Sequence, residues 1–252
     1  MDKPRDPGGS IWVAPPKGRG RGSAPTGLSR DRIVRAAVAL LDAEGVQAFS
    51  MRKLAAELDV TAMSVYWYVD TKDGLLELAL DEVLGEMRVE PLEDHGDWRR
   101  HLRALAHEYR HCFQHHPWAA QLAAQFLAIG PNSLVFSSSA IGAATRSGLS
   151  GDQLAGALAL LFNFAYGFAM LESQWSLRVR ASGLGEDEFN RVVHGIVERV
   201  DPRFVENEDL VRASVEGGVA AGRDRQFEAA LDIAMAGIDA LIAAGSAPNR
   251  PA

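Results

Sequence analysis

The sequence lacks several features that would place it outside the cytoplasm. It has a single cysteine, Cys112, which excludes an internal disulfide framework and fits a reducing compartment. Residues 1–28 contain no uninterrupted apolar core, so we expect no cleavable signal peptide. The longest apolar run, 154–171, is short for a membrane span of roughly 20 residues and is interrupted by Asn163. We therefore expect a buried helix there, no membrane segment and a cytoplasmic location.

Motifs that mark common enzyme classes are also missing. There is no Gly-rich phosphate loop and no G-x-S-x-G nucleophile elbow. Glu108 and His111 form one Glu-x-x-His pair, whereas a di-metal helical bundle needs two such pairs and further carboxylates. We therefore expect no catalytic residue, no bound metal and no cofactor. A helical metalloenzyme is the alternative from another class, and metal content after chelator-free purification separates the two.

Six of the seven histidines lie between His95 and His116. His107, His111 and His115 share one helix face, but the outer two are about 12 Å apart and cannot close one metal site. We expect a solvated helix face, and a zinc-responsive or pH-sensitive regulator is the alternative.

Charge is unevenly distributed in this chain of net charge −7. Residues 1–75 carry 11 Lys and Arg against 9 Asp and Glu, and the remainder carries 15 against 24. An acidic body behind a less acidic N-terminal part suits a protein of which only that part approaches phosphates. Residues 1–28 are rich in Pro, Gly and basic side chains, which predicts a disordered basic arm, and residues 246–252 are expected to form a disordered tail.

Helical periodicity begins at Ser29 and dominates the rest of the chain, without an alternating strand pattern longer than four residues. Ser29, Ser50 and Thr71 are expected helix caps, and Gly45 is expected to end the first helix. The sequence thus predicts an all-α fold. A helix-turn-helix domain is expected over 29–75, and a helical ligand-binding and dimerisation domain over 76–245.

Residues 50–76 have the plan of a helix-turn-helix DNA reader, whose second helix enters the major groove. Val65 and Val69 are the expected apolar anchors of that helix, and the turn is expected at Asp59, which tolerates left-handed backbone. Three consecutive aromatic residues cannot all face one core, so at least one must be exposed. The expected DNA-contacting side chains are Arg52, Thr61, Ala62, Met63, Ser64, Tyr66, Trp67, Tyr68 and Lys72.

This stretch resembles the N-terminal domain of TetR-family transcriptional regulators, nearly position by position from Met51 to Leu76. The C-terminal part resembles the tetracycline-repressor branch through the sequences HPWAAQL at 116–122, GPN at 130–132 and FEAALDIAMAGIDALIA at 227–243. The resemblance implies a homodimeric repressor of a pseudo-palindromic double-stranded operator, released by a small-molecule effector. Tetracycline repressors chelate a metal-bound drug through histidines, and the matching stretches 84–89 and 126–131 have none, so that ligand is not expected.

The C-terminal helices supply an expected ligand pocket and an expected dimer face. Large side chains and a few polar ones predict a pocket for a largely apolar or aromatic molecule, formed by Trp118, Gln125, Phe126, Phe162, Asn163, Tyr166, Met170 and Trp175. The last helix is apolar on two sides, as expected of a helix that is buried on both. This favours a four-helix dimer interface, in which this helix and residues 151–180 pack against their symmetry mates. Internal packing alone is the alternative, and an architectural DNA-binding protein without a ligand is a third reading.

Overall fold

A computed structural model describes residues 10–13, 27–91, 96–201 and 215–245. Within these residues the chain forms ten helices and no strand, which confirms the all-α prediction. In chain order the helices are α1 (Arg30–Ala48), α2 (Met51–Glu57), α3 (Ala62–Tyr66), α4 (Lys72–Leu84), α5 (Trp98–His115), α6 (Pro117–Ala123), α7 (Pro131–Thr145), α8 (Gly151–Ser182), α9 (Glu186–Val200) and α10 (Val219–Gly245).

The helices group into two compact units. The first unit comprises the described residues of Met1–Pro91 and Glu108–Ala140, and the second those of Leu92–His107 and Ile141–Ala252. The two units are defined by contacts between residues, whereas the boundary predicted between residues 75 and 76 separates DNA binding from ligand binding and dimerisation. That boundary therefore stays a prediction. The predicted arm and tail lie mostly outside the described residues, although Ser10–Val13 form a turn against α4.

Side-chain caps start the helices of the N-terminal part where the sequence predicts them. The hydroxyl oxygens of Ser29, Ser50 and Thr71 accept hydrogen bonds from the backbone amides three residues further on, which stabilises each first turn. Gly45 has a φ of 76° and interrupts α1, which then continues for one short turn to Ala48. The break at the predicted glycine is therefore confirmed.

Helix α4 is the central element of the first unit, buried on most of its circumference. Its Asp81 carboxylate lies at the N-terminus of α7 and accepts hydrogen bonds from the Asn132 amide, at 3.2 Å, and from the Ser133 amide and hydroxyl, at 3.0 and 2.9 Å. Helix N-termini favour negative charge, so the buried carboxylate is stabilised there. The N-terminal turn adds a second contact, because the Ser10 hydroxyl donates to the buried Glu77 carboxylate at 2.5 Å.

In the second unit, α8 buries one stripe of small and apolar residues together with Glu172, and α9 has no buried residue at all. Helix α10 buries Phe227, Leu231, Ala234 and Ile238, whereas Leu241 is exposed. The Asp187 side chain of α9 accepts a hydrogen bond from the Val219 amide at 2.9 Å, which fixes the start of α10.

Several helix ends differ from their predicted positions, since the periodicity of the sequence predicts helices over residues 61–69, 118–129 and 223–244 and a weaker one over 208–217. Helix α3 ends at Tyr66 rather than Val69, because tighter hydrogen bonds to the Val65 carbonyl complete the following turn. Helix α6 ends at Ala123 rather than Ile129, and the Leu122 carbonyl accepts from two amides in a tight turn there. Helix α10 begins at Val219 rather than Arg223, because its first amide donates to the Asp187 side chain of α9. That contact is tertiary, so the local sequence does not indicate it. The weak helix predicted over 208–217 lies mostly outside the described residues.

Gly130 and Gly142 provide a matched test of the α4–α7 contact. A Cβ atom at Gly130 would lie 2.3 Å from the Asp81 carboxylate, whereas one at Gly142 would meet nothing within 4 Å. We expect Gly130→Ala to lower the free energy of unfolding by about 1–3 kcal/mol, because the added atom overpacks a buried contact. Gly142→Ala should raise it by about 0.5–1 kcal/mol, since alanine favours helix. Urea unfolding measures both, and equal stability of the two variants would contradict the contact.

Candidate nucleic-acid interface and ligand cavity

The turn between α2 and α3 is built around Asp59, whose φ of 55° is left-handed. The Val60 amide bonds to the Ala55 carbonyl at 2.9 Å, and the Asp59 amide bonds to the Ala56 carbonyl at 3.1 Å. This pair of bonds is the Schellman arrangement that ends helices at a left-handed residue. Aspartate tolerates that conformation better than most side chains, so the prediction of a turn at Asp59 is confirmed.

Helix α3 is held by its inner face and starts with a pair of hydroxyls. Val65 and Val69 are fully buried, as predicted for the two anchors. The Thr61 hydroxyl accepts from the Ser64 amide at 3.3 Å and lies 3.0 Å from the Ser64 hydroxyl. The Met63 side chain is 77% exposed. An exposed methionine and two hydroxyls at the start of a helix can contact base edges in a major groove.

The aromatic triplet divides between solvent and protein, as helical geometry requires. Tyr66 and Trp67 are 39% and 37% exposed. The half-buried Tyr68 hydroxyl donates to the Leu28 carbonyl at 2.8 Å, and its ring meets Trp67 edge-on. Its single proton is therefore used within the protein, and donation to a phosphate would have to replace that bond.

The two basic residues predicted to contact DNA have different surroundings. Arg52 is exposed in the first turn of α2. The Lys72 ammonium donates to the Phe49 carbonyl at 3.0 Å and lies over the Phe49 ring. An ammonium carries three N–H donors, so two stay available to a phosphate. Ala62 is half-buried at the start of α3.

A cavity of about 300 Å³ lies in the second unit among α8, α9 and α10. Its walls are partly aromatic and apolar, from Phe168, Leu171, Trp175 and Val219, and partly polar, from Glu172, Asn190, His194, Arg223 and Gln226. An apolar cavity with a few polar groups is the usual form of a small-molecule site.

Arg223 organises the polar side of this cavity. It pairs with Glu186 of α9 and lies 3.9 Å from the buried Glu172 carboxylate of α8. Its guanidinium also lies 5.9 Å from the centre of the Trp175 ring. The Trp175 ring meets Phe189 edge-on, and its buried indole N–H has no hydrogen-bond partner among the described residues. The cavity wall thus contains a paired cation beside an aromatic ring whose own donor is buried and unsatisfied.

Of the predicted pocket residues, Trp175 alone lines this cavity. Phe162, Tyr166 and Met170 are half-buried on α8, where burial raises the pKa of the Tyr166 phenol, and Asn163 is exposed. Trp118, Gln125 and Phe126 belong to the first unit. The sequence reasoning missed Arg223 and the α9 residues. Glu172 is a signal that could have indicated a cation such as Arg223 nearby, because it is the one charged residue of α8 between Asp152 and Arg178.

A second cavity, of about 330 Å³, lies in the first unit beside the histidine-rich part of α5. Its lining includes Glu86, Glu108, His111, Cys112 and His115. Burial, with the two carboxylates, raises the pKa of the Cys112 thiol to about 12, which leaves the thiol protonated and unreactive. In the part of the chain that the structure describes, no three His, Cys, Asp or Glu side chains converge to hold a metal ion.

Both parts of the chain match one protein family. Residues 33–79 match the family described as "Bacterial regulatory proteins, tetR family", and residues 90–242 match the "Tetracyclin repressor-like, C-terminal domain". The chain therefore belongs to the TetR family of transcriptional regulators, whose members bind operator DNA and act as dimers. The class of protein is a DNA-binding transcription regulator.

Two sequence relatives and one solved structure illustrate this similarity. The chain is 41% identical to an HTH-type transcriptional regulator of Saccharopolyspora erythraea, over 66% of this chain and 69% of the relative. It is 35% identical to the HTH-type transcriptional repressor DrrR1 of Streptomyces coeruleorubidus, over 71% of this chain and 66% of that one. The solved structure of ActR from Streptomyces coelicolor in complex with actinorhodin covers 86% of this chain and 97% of ActR, with 31% identity and a TM-score of 0.67.

Helices α8 and α10 leave apolar side chains uncovered in a single chain. Leu160, Leu171 and Leu177 of α8 and Ile233 and Leu241 of α10 are exposed. Among the described residues, α8 alone is long and apolar enough to cross a membrane by length and composition, and 22% of that stretch is buried. The prediction of a buried helix thus holds for one stripe, and a dimer partner would cover the rest.

Ile233 and Val200 provide a matched test of the dimer face. Both are strongly exposed, at 74% and 80%, but only Ile233 belongs to α8 or α10. We expect Ile233→Glu to convert the dimer to monomer at micromolar concentration, because it places a charge at an apolar interface. Val200→Glu on α9 should stay dimeric. Light scattering after size exclusion reports the mass, and a dimeric Ile233→Glu variant would place the interface elsewhere.

Proposed function

We propose that this protein is a cytoplasmic transcriptional repressor that binds a pseudo-palindromic operator as a homodimer. A small, largely apolar or aromatic molecule releases it. The observation that carries the proposal is α3, a short helix anchored by two buried valines and carrying exposed hydroxyl, methionine and aromatic side chains. The relatives are regulators, and we infer that this chain has no catalytic role of its own.

The proposed contacts fall into two groups by chemistry. Thr61, Ala62, Met63 and Ser64 occupy the start of α3, where hydroxyl and apolar groups can meet base edges. Donors that can reach phosphate oxygens come from Arg52, Tyr66, Trp67, Tyr68 and Lys72. Base contacts carry sequence preference, whereas phosphate contacts carry affinity for any duplex.

The effector is proposed to occupy the cavity of the second unit. Its aromatic wall suits a flat ring system, and Asn190, His194 and Gln226 offer polar groups to a ligand there. ActR, the structural relative, is titled as a complex with actinorhodin. Helix α5 begins in the second unit and ends in the first, so the chain itself offers a continuous helical connection. An effector acts by favouring a conformer that binds DNA poorly.

The two groups of contacts are separable by mutation. We expect Tyr66→Ala and Lys72→Ala to weaken binding to operator and random duplexes alike, with the salt slope reduced by roughly 1 for Lys72→Ala. Ser64→Ala should change the preferred sequence, with a discrimination loss of about 1–3 kcal/mol at the affected base pair. Selection of bound duplexes followed by fluorescence anisotropy at several salt concentrations measures both.

Arg199→Ala on α9 is the control for that experiment, because it removes one exposed positive charge outside both the proposed DNA contacts and the proposed dimer face. It should leave both the affinity and the preferred sequence unchanged. Equal losses on random and operator DNA for Ser64→Ala would contradict its role as a base reader.

The effector site is tested with actinorhodin as the first probe, added to the complex with a selected operator duplex. We expect release of the duplex, and a response weakened roughly tenfold or more by Trp175→Leu, since buried tryptophans dominate such contacts. Val192→Ala, an exposed α9 change outside the cavity lining, should respond as the wild type does. A normal response of Trp175→Leu together with a lost response of Phe162→Leu would move the site to the predicted α8 residues.

A further inference from the structure

His116 occupies the N-cap position of α6 without capping it. N-cap side chains usually accept hydrogen bonds from the first helical amides, and serine, threonine, aspartate and asparagine are preferred there. The His116 ring instead contacts two carboxylates from other elements. Its Nδ1 lies 2.7 Å from the Asp42 carboxylate of α1, and its Nε2 lies 3.1 Å from the Glu86 carboxylate just after α4. The side chain is only 5% exposed.

A second donor from α6 strengthens the connection to α1. The Trp118 indole N–H donates to the same Asp42 oxygen at 2.6 Å, and the His116 and Trp118 rings meet edge-on. His115, the last residue of α5, places its ring edge-on against His116 as well. We call Asp42, Glu86, His116 and Trp118 the His116 joint. All four residues belong to the first unit.

The joint connects elements with different tasks. Helix α1 packs on α2, α4 and α6; with α2 it is part of the proposed DNA reader, whereas α4 and α6 belong to the body behind it. An ionised carboxylate only accepts hydrogen bonds, and an imidazole presents one ring nitrogen to each carboxylate, donating from one nitrogen when neutral and from both when protonated. A glutamine amide can hold one of them well, and a phenylalanine neither. Histidine is therefore specifically suited to this position.

We propose that His116 is a positioning residue for DNA binding: it fixes α1 to the body, so that operator affinity depends on a residue outside the reading helices. This inference rests on the proposed DNA-reading function. If the DNA reader can move relative to α4 and α6, the two readers of a dimer fit two half-sites at fixed spacing less well. Non-specific phosphate contacts tolerate such motion better. Loss of the joint should therefore lower affinity for the operator more than affinity for random DNA.

Two pairs of variants test this in the full-length protein. His116→Phe removes both contacts and keeps an aromatic ring, and His115→Phe makes the same change one residue earlier. Asp42→Ala and Asp42→Asn remove the same charge, but only asparagine keeps an oxygen that can accept from His116 and Trp118. Affinity for a selected operator duplex and for a random duplex is measured by anisotropy at one salt concentration, well below the unfolding temperature.

We expect the operator-to-random affinity ratio to fall roughly 3- to 30-fold for His116→Phe and Asp42→Ala, the range found for residues that couple sites. The ratio for Asp42→Asn and His115→Phe should stay near that of the wild type. Amide exchange of α1 should accelerate in the two weakened variants. A purely structural role would reduce the folded fraction and lower both affinities equally, leaving the ratio unchanged.

An unchanged ratio for His116→Phe would overturn the proposal, as would equal weakening by Asp42→Ala and Asp42→Asn. A ratio for His115→Phe as low as that for His116→Phe would also overturn it, because the effect would then follow the histidine cluster rather than the joint. If the wild-type protein fails to distinguish operator from random DNA, the proposed function itself fails. The wild-type arm identifies that outcome before any variant is compared. If His116→Phe does not fold, the Asp42 pair decides.

Discussion

The reading helix α3 has only five residues, and a helix of that length has no stability of its own in water. Its conformation must therefore be imposed by what surrounds it. The left-handed turn at Asp59 sets its direction, the Thr61 hydroxyl accepts a hydrogen bond from the Ser64 amide, and two buried valines anchor it. The outer face is then free of structural duties. That freedom allows methionine, hydroxyl and aromatic side chains to remain exposed on this face.

Helix α4 carries that arrangement into the rest of the first unit. It is buried on most sides, and two of its carboxylates are buried with it, which is tolerable only when each has hydrogen-bond donors. Asp81 finds them at the start of α7, and Glu77 accepts from Ser10. Gly130 is required at the α7 end because the carboxylate occupies the space of a side chain. A polar, geometrically strict contact thus fixes the register of α4 against the body, where apolar packing alone would permit sliding.

The proposed ligand cavity shows how residues that meet in space can escape prediction from the sequence. Pocket residues were predicted from large side chains along the chain, and most of those named pack elsewhere or lie exposed. The cavity is formed where three helices meet, and its polar wall combines Glu172 of α8, Asn190 of α9 and Arg223 of α10, which are distant in sequence. Nothing local marks Arg223 or the α9 residues as neighbours of Trp175. The same holds for His116, whose sequence context is a histidine-rich helix end and whose partners come from two other elements.

The sequence by itself determined the features that depend on neighbours within one or two helical turns. These are the caps at Ser29, Ser50 and Thr71, the break at Gly45, the turn at Asp59 and the anchoring pair Val65 and Val69. Local hydrogen bonds and apolar spacing decide such features, so they can be read directly from residue order. Only the tertiary structure decided which donors meet Asp42 and Asp81, where α10 begins and which side chains enclose the cavity. Those outcomes depend on which helix faces meet, and residue order alone does not specify which faces do.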